Sequence, residues 1–208
     1  MDYDPPSWMI HAQDVGLIGP ASLRFHAAHA MGFTESATIH EALTQPTCQA
    51  IDLGSGGGLP GLVLAVAYPD SAWALLDARK RSQEHLEDAI ASEGVHDRVS
   101  VAGGRAEELA RQPELREQFT IATARGFAKP GVTAELASGF LAIDGHLVVS
   151  EPPEGNDRWP TDHLASLQLE PAQTWTSKEG HYRSFRKVAH LDERYPRRVG
   201  IPEKRPLF

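Results

Sequence analysis

The sequence predicts an α/β fold: a seven-stranded, mostly parallel sheet with helices on both faces and a C-terminal antiparallel hairpin. Three observations carry this expectation. From Cys48 to Leu191, short apolar runs alternate with amphipathic stretches, the pattern of βαβ units. The first apolar run opens into a glycine loop and then a helix. The chain has 208 residues, 41% of them hydrophobic and 23% charged, enough for one domain with a sizeable core and too few for two.

Residues 1–47 read as a short helical cap over the crevice, with Trp8, Ile10, Val15, Leu17, Ile18, Leu23, Phe25 and Phe33 as core candidates; residues 48–208 form the main domain. Cys48–Leu53 reads as a buried strand and Pro60–Ala67 as a helix, with proline in the first turn, where its missing N–H costs nothing. Trp73–Asp77 is the second strand. Arg79–Glu93 is a helix with Leu86, Ala89 and Ile90 on one face and Gly94 as its stop. Val99–Ala102 and Phe119–Ala124 are strands three and four, separated by a short helix at Arg105–Arg111. Gly131–Phe140 is a helix, His146–Ser150 the fifth strand and Pro152–Gly155 a loop. Leu167–Trp175 and Arg186–Leu191 pair as a terminal hairpin around a polar turn at Ser177–Tyr182. Right-handed crossovers leave few strand orders to choose from.

The net charge of −8 argues against a protein held on nucleic acid by bulk electrostatics alone. Its distribution is uneven. Residues 178–208 hold nine Lys/Arg against four Asp/Glu, a local +5, while residues 1–177 stand at −13. A basic tail on an acidic body either touches phosphates or pairs with the body's own acids. One cysteine, Cys48, excludes an internal disulfide and a cysteine-rich zinc site and fits a small apolar residue packed at the first strand. No apolar run approaches the roughly 20 residues that span a bilayer, and Met1–Pro6 lacks a signal pattern, so a cytoplasmic protein is expected. His26 and His29 share a helical face, but no carboxylate or cysteine at ligand spacing joins them, and no metal is expected. No covalent-nucleophile signature is present. Trp175, Tyr182 and Phe185, amid Lys178, Arg183, Arg186 and Lys187, suit either clamping of an unpaired base or hairpin packing.

The strongest feature is Asp52-Leu53-Gly54-Ser55-Gly56-Gly57-Gly58-Leu59-Pro60-Gly61. Glycines permit a tight turn and close approach of a ligand to the backbone, and the following helix N-terminus favours a negative ligand group. Asp77 ends the second strand 25 residues after Asp52, where an acid accepts both ribose hydroxyls of an adenosine cofactor. Gly56, Gly58 and Gly61 also match the dinucleotide pattern, so a nicotinamide or flavin cofactor and a purely structural turn are alternatives. The frame Asp52, Gly54, Gly56, Gly58 instead suits S-adenosyl-L-methionine: a carboxylate at the loop entrance repels a pyrophosphate and attracts ammonium and sulfonium charge, while the methionine carboxylate meets the helix N-terminus.

Asp52–Gly61, Leu76-Asp77, Lys80-Arg81, Gly104-Arg105-Ala106-Glu107-Glu108 and Thr123-Ala124-Arg125-Gly126-Phe127-Ala128 resemble the GidB-type family, bacterial guanine-N7 methyltransferases of small-subunit (16S) ribosomal RNA. The ending from Tyr195 to Leu207 is similar to a C-terminus common in that family. The chain departs from the family in a shortened N-terminal region, in which Arg24–His29 only approximates a family segment, and in Ala78 and Arg79, which stand where serine and glycine are usual. The resemblance implies a Rossmann-like class I S-adenosyl-L-methionine-dependent methyltransferase. It implies that Gly54 and Leu59 line the cofactor site, that Ala106 and Glu107 meet the adenine, and that Arg125 sits beside cofactor and substrate as a positioning residue. The implied partner is 16S rRNA or the small subunit, contacted through Arg197, Arg198, Lys204 and Arg205. The alternatives are a methyltransferase of a small molecule or protein and a non-catalytic S-adenosyl-L-methionine-binding protein. An RNA substrate predicts a continuous positive surface from the tail to the crevice; a small-molecule enzyme predicts a closed apolar pocket.

Overall fold

The computed structural model describes residues 4–153 and 158–208. Side chains alternate faces along each strand, and both faces here are apolar, which only a sheet covered on both sides can bury. Ala50, Trp73, Leu75 and Ile121 face one core, shared with Trp8, Phe33, Leu62 and Leu86. Their neighbours Ile51, Leu53, Leu76 and Ala122 face the other, with Leu109, Leu136, Phe140 and Trp159.

The strands are β1 (Gln49–Leu53), β2 (Ala72–Asp77), β3 (Val99–Gly103), β4 (Phe119–Ala124), β5 (Leu141–Glu151), β6 (Leu169–Ser177) and β7 (Gly180–Lys187). They lie in the order β3-β2-β1-β4-β5-β7-β6, parallel except for β7, which runs antiparallel to both of its neighbours. The order reverses between β1 and β4, which opens a crevice at the carboxyl ends of those strands. Helices α1 (Ser7–Asp14), α2 (Leu23–Gly32) and α3 (Ala37–Leu43) precede the sheet; α4 (Gly61–Ala67), α5 (Lys80–Glu93), α6 (Ala106–Leu109) and α7 (Pro130–Phe140) are the crossovers; α8 (Thr161–Ser166) and α9 (Ile201–Lys204) follow. Ser22 and Ser36 cap α2 and α3 by accepting from Phe25 N and Ile39 N, and Gly94 ends α5 in the left-handed region at φ 67°. Among the described residues no helix is long and apolar enough to cross a membrane.

Four expectations need correction. β5 begins five residues before His146, because α7 runs directly into it and Asp144-Gly145 bulges the strand against β4. The hairpin turn is only Lys178-Glu179, so Tyr182 sits in β7, paired with Trp175, rather than in the turn. Tyr182 and Phe185 are fully buried, which makes them hairpin core and removes them as a base clamp. Ile10 is exposed, and Met9 takes its place in the core. Cys48 is buried beside β1. Of the Pro152–Gly155 loop, Glu154 and Gly155 lie outside the described residues, as do Met1–Tyr3.

Candidate functional site

β1, β2, β3 and β4 each end in a loop on the same edge of the sheet, and these loops wall a crevice of about 730 Å³. Asp77, Ala106, Glu107, Gly54 and Phe127 line it. A cavity of about 270 Å³ adjoins it, sharing Gly54, Arg79 and Gly126, and lined further by Gly56, Leu59, Arg125, His26 and the α1–α2 connection at Leu17–Gly19.

The glycine loop is built to leave room. Gly54 has φ 72°, and a Cβ there would stand 2.6 Å from the Phe127 ring. Gly56 donates its N–H to Asp77 Oδ2 at 3.0 Å, which ties the loop to the end of β2. Gly58 does not line either cavity; its φ of 92° and the Trp8 ring 3.0 Å from an added Cβ make it a packing requirement.

Asp52 is placed differently from the expectation. Its side chain is 1% exposed, with Oδ1 accepting from Thr123 Oγ1 at 2.7 Å and Oδ2 from Gly61 N at 3.1 Å. The carboxylate therefore caps α4 from below and does not face the crevice, and the N–H expected to meet a ligand carboxylate is already taken. Burial pushes its pKa up to about 6 against the opposing hydrogen bonds.

Asp77 lies at the crevice wall. Its Oδ1 accepts from Arg79 N at 2.9 Å and Arg79 Nε at 3.2 Å, and its Oδ2 accepts from Arg79 Nη2 at 3.1 Å as well as from Gly56 N. Burial raises its pKa, but the Arg79 and Gly56 donors outweigh that and hold the group below the usual carboxylate range. Glu107 is likewise buried and held ionised: burial opposes charge, and donation from Gly200 N at 3.0 Å and Arg105 Nη2 at 3.2 Å overrides it. The C-terminal segment thus closes this end of the crevice, with Glu203 of α9 on its wall.

Arg125, at the end of β4, donates through Nη2 to His26 Nδ1 at 2.8 Å. His26 Nε2 lies 3.0 Å from the Gly19 carbonyl, which can only accept, so Nε2 carries the proton and Nδ1 the lone pair. Burial lowers the pKa of His26, and burial with the Arg125 charge and His26 pushes His29 down to about 4. Both rings are neutral at pH 7, leaving Arg125 as the cation of this group. Among the described residues Arg125 Nη1 is buried with no hydrogen-bond partner, which a buried donor rarely lacks.

The tail expectation divides. Arg197 is bound to Glu135, a fully buried acid in α7, through its own N–H at 2.7 Å, Nε at 3.0 Å and Nη2 at 2.6 Å, so it is a structural cation rather than a phosphate contact. Arg198, Lys204 and Arg205 are exposed. Lys187 is fully buried and donates to Glu117 Oε1 at 2.9 Å and Ser138 O at 2.6 Å, another basic residue of the expected patch that serves the fold.

The Arg79 fork on Asp77, the His26–Arg125 pair and the contact of Gly200 with Glu107 lie outside the sequence expectations. The first had a local signal, a cation two residues after the strand-end acid. The other two join residues 99 and 93 positions apart, for which no local signal exists.

The residues fit an adenosyl sulfonium cofactor: a strand-end carboxylate at the crevice wall, a glycine cradle that a Cβ at Gly54 would fill, and, in the adjoining cavity, a buried guanidinium N–H with no partner among the described residues. Among solved structures, an RNA methyltransferase from Salinibacter ruber in complex with S-adenosyl-L-homocysteine shares the fold at TM-score 0.56 and 16% identity, covering 79% of this chain and 93% of that one. The antibiotic-resistance methyltransferase Kmr does so at TM-score 0.57 and 15% identity, covering 73% and 93%. Closer in sequence, the ribosomal RNA small subunit methyltransferase G of Thermotoga neapolitana is 35% identical over 166 residues, 76% of this chain and 71% of that protein. That of Moorella thermoacetica is 31% identical over 170 residues, 78% and 70%. The model of the GidB family, rRNA small subunit methyltransferase G, matches residues 13–166. With a class I methyltransferase sheet, this crevice and these relatives, the chain belongs to the GidB family.

Proposed function

We propose that this chain is an S-adenosyl-L-methionine-dependent methyltransferase that acts on guanine N7 of small-subunit (16S) rRNA. The observation that carries the reading is the junction of two cavities at Gly54 and Gly126, one walled by Asp77 and Glu107, the other by Arg125. Bound in the larger, the cofactor supplies the methyl group and its sulfonium leaving group. Asp77 takes the ribose hydroxyls, Ala106 and Glu107 border the adenine, and the Gly54 and Gly56 backbone lets the cofactor lie close against the loop. Leu59 lines the smaller cavity beside Ile18 and Leu17. There Arg125, held by His26, directs Nη1 at the incoming base. Asp52 serves this site through the loop, by fixing α4. Guanine N7 holds a free lone pair at neutral pH, so no side chain has to remove a proton before transfer. The protein's task is alignment and exclusion of water.

The RNA reading is supported by the rim. Arg79, Arg105 and Lys129 border the crevice, and the exposed Lys204 and Arg205 come next in sequence after Glu203, which lies on its wall. A closed apolar pocket, the expectation for a small-molecule enzyme, is not what the larger crevice offers. In this reading Arg198, Lys204 and Arg205 contact phosphates and Arg197 does not. The test is incubation with methyl-labelled S-adenosyl-L-methionine and small ribosomal subunits lacking the modification. Label is expected in the 16S rRNA; label only in protein or small-molecule fractions, or cofactor binding with no transfer, would overturn the assignment.

A further inference from the structure

Two demands on one carboxylate meet at Asp77. It accepts from four donors: Gly56 N, Arg79 N, Arg79 Nε and Arg79 Nη2, at 2.9 to 3.2 Å. A carboxylate offers about four lone-pair sites, so the set is full. Two of the donors are backbone, fixed by the glycine loop and by the entry into α5. The guanidinium is the exchangeable pair: the Arg79 side chain is 65% exposed, against 5% for Asp77. If Asp77 is to take two ribose hydroxyls, as in the function proposed above, on which this inference rests, the sites held by Arg79 are those that must be vacated.

We propose that Arg79 is an RNA contact released by the cofactor. With the crevice empty, its charge is neutralised on Asp77. The arriving ribose displaces the guanidinium to the crevice mouth, where it meets a phosphate of the RNA. Ribose is neutral, so the exchange leaves Asp77 satisfied by hydroxyls and adds one uncompensated cation to a rim that both cavities share. The neighbouring cation Lys80 is 76% exposed and already faces Glu84 at 3.9 Å, one turn further along α5. Asp77 is the acid with which Arg79 pairs among the described residues. Cofactor and RNA must then strengthen each other's binding by the same factor.

The test uses the full chain, with S-adenosyl-L-homocysteine titrated by calorimetry and a full-length 16S rRNA transcript by fluorescence anisotropy across a salt series. Without RNA, Arg79→Ala should bind S-adenosyl-L-homocysteine about threefold to fivefold more tightly, the scale of removing an exposed ion pair that competes for the site. In the wild type, saturating S-adenosyl-L-homocysteine should steepen the log–log salt dependence of RNA binding by about 0.7 to 0.9, one phosphate contact. Arg79→Ala should show the same shallow slope with and without it. Arg79→Lys keeps the charge and loses the fork, so it should show the steep slope in both conditions. Unchanged or weaker S-adenosyl-L-homocysteine binding by Arg79→Ala, or a wild-type slope indifferent to S-adenosyl-L-homocysteine, overturns the inference and leaves the cofactor reading standing. No S-adenosyl-L-homocysteine binding by the wild type removes that reading, and the inference with it.

Discussion

Replacing Arg197 with alanine should destabilise the fold and leave RNA binding almost untouched. Glu135 is fully buried in α7, and Arg197 compensates it with a guanidinium and a backbone N–H, the shortest contact being 2.6 Å. Arg197→Ala keeps only the backbone donor on a buried carboxylate. Breaking a buried pair costs about 3–5 kcal/mol, and the remaining N–H together with the 23% exposure of Arg197 points to the lower end, about 3 kcal/mol. In a chain of this size that corresponds to a fall in Tm of roughly 6–12 °C. Calorimetric unfolding of Arg197→Ala and of the double variant Arg197→Ala/Glu135→Gln separates the lost pair from lost packing, because the second removes the stranded charge and should recover much of the loss. The salt slope of RNA binding should be unchanged in Arg197→Ala and flatter by about 0.7–0.9 in Arg198→Ala or Arg205→Ala. A wild-type Tm with a flattened slope in Arg197→Ala would refute the structural role.

Other perturbations test the remaining parts of the account. Asp77→Asn loses a charged double acceptor and turns an amide N–H toward existing donors; S-adenosyl-L-homocysteine affinity should fall by about 1–3 kcal/mol in calorimetry, and unchanged affinity would remove Asp77 from the cofactor site. Asp52 has a folded pKa of about 6 against a reference value of 3.8, so its ionisation opposes folding. The stability it contributes is complete below the unfolded pKa and is lost as pH rises through 6. Between pH 7 and pH 5 the wild type should gain about 1 kcal/mol relative to Asp52→Asn; parallel pH profiles would contradict this. Lys187→Ala leaves Glu117 with only the Leu191 N–H and His190 and takes the donor from the Ser138 carbonyl, so urea unfolding should show a loss near the lower end of the buried-pair range, about 3 kcal/mol; a loss under 1 kcal/mol would mean that the remaining donors satisfy Glu117 by themselves.

The parts of the site that lie on one strand end were legible in the sequence. Asp77 ends β2 and the glycine loop follows β1, and apolar runs with turn residues mark such ends locally, whereas Glu107 is given only by the family resemblance. The parts that failed depend on pairs distant in sequence. In sequence Asp52 reads as a ligand contact because a carboxylate before glycines looks the same whether it faces the crevice or caps the next helix from below; burial decides, and burial is a property of the packed sheet. For Arg197 and Lys187 the sequence leaves contact with RNA and pairing within the fold both open, because composition does not distinguish a solvated cation from one under an apolar layer. A signal for Arg197 was present. Glu135 sits within Pro130–Phe140, a helix whose residues from Gly131 onward are all buried, and an acid in such a helix needs a buried cation from elsewhere. The start of β5 was missed because Asp144-Gly145 resembles a turn that separates elements, while here it is a bulge within one strand.

The reaction itself is tested most directly by the identity of the modified nucleoside. Small subunits lacking the modification, treated with this protein and S-adenosyl-L-methionine, can be digested to nucleosides and resolved by mass spectrometry. The account predicts one new product, 7-methylguanosine, at a single position of 16S rRNA, formed by the wild type and strongly reduced by Arg125→Ala, in which S-adenosyl-L-homocysteine binding is retained. A methyl group on a ring carbon, an exocyclic amine or a ribose hydroxyl, or turnover indifferent to Arg125, would contradict it.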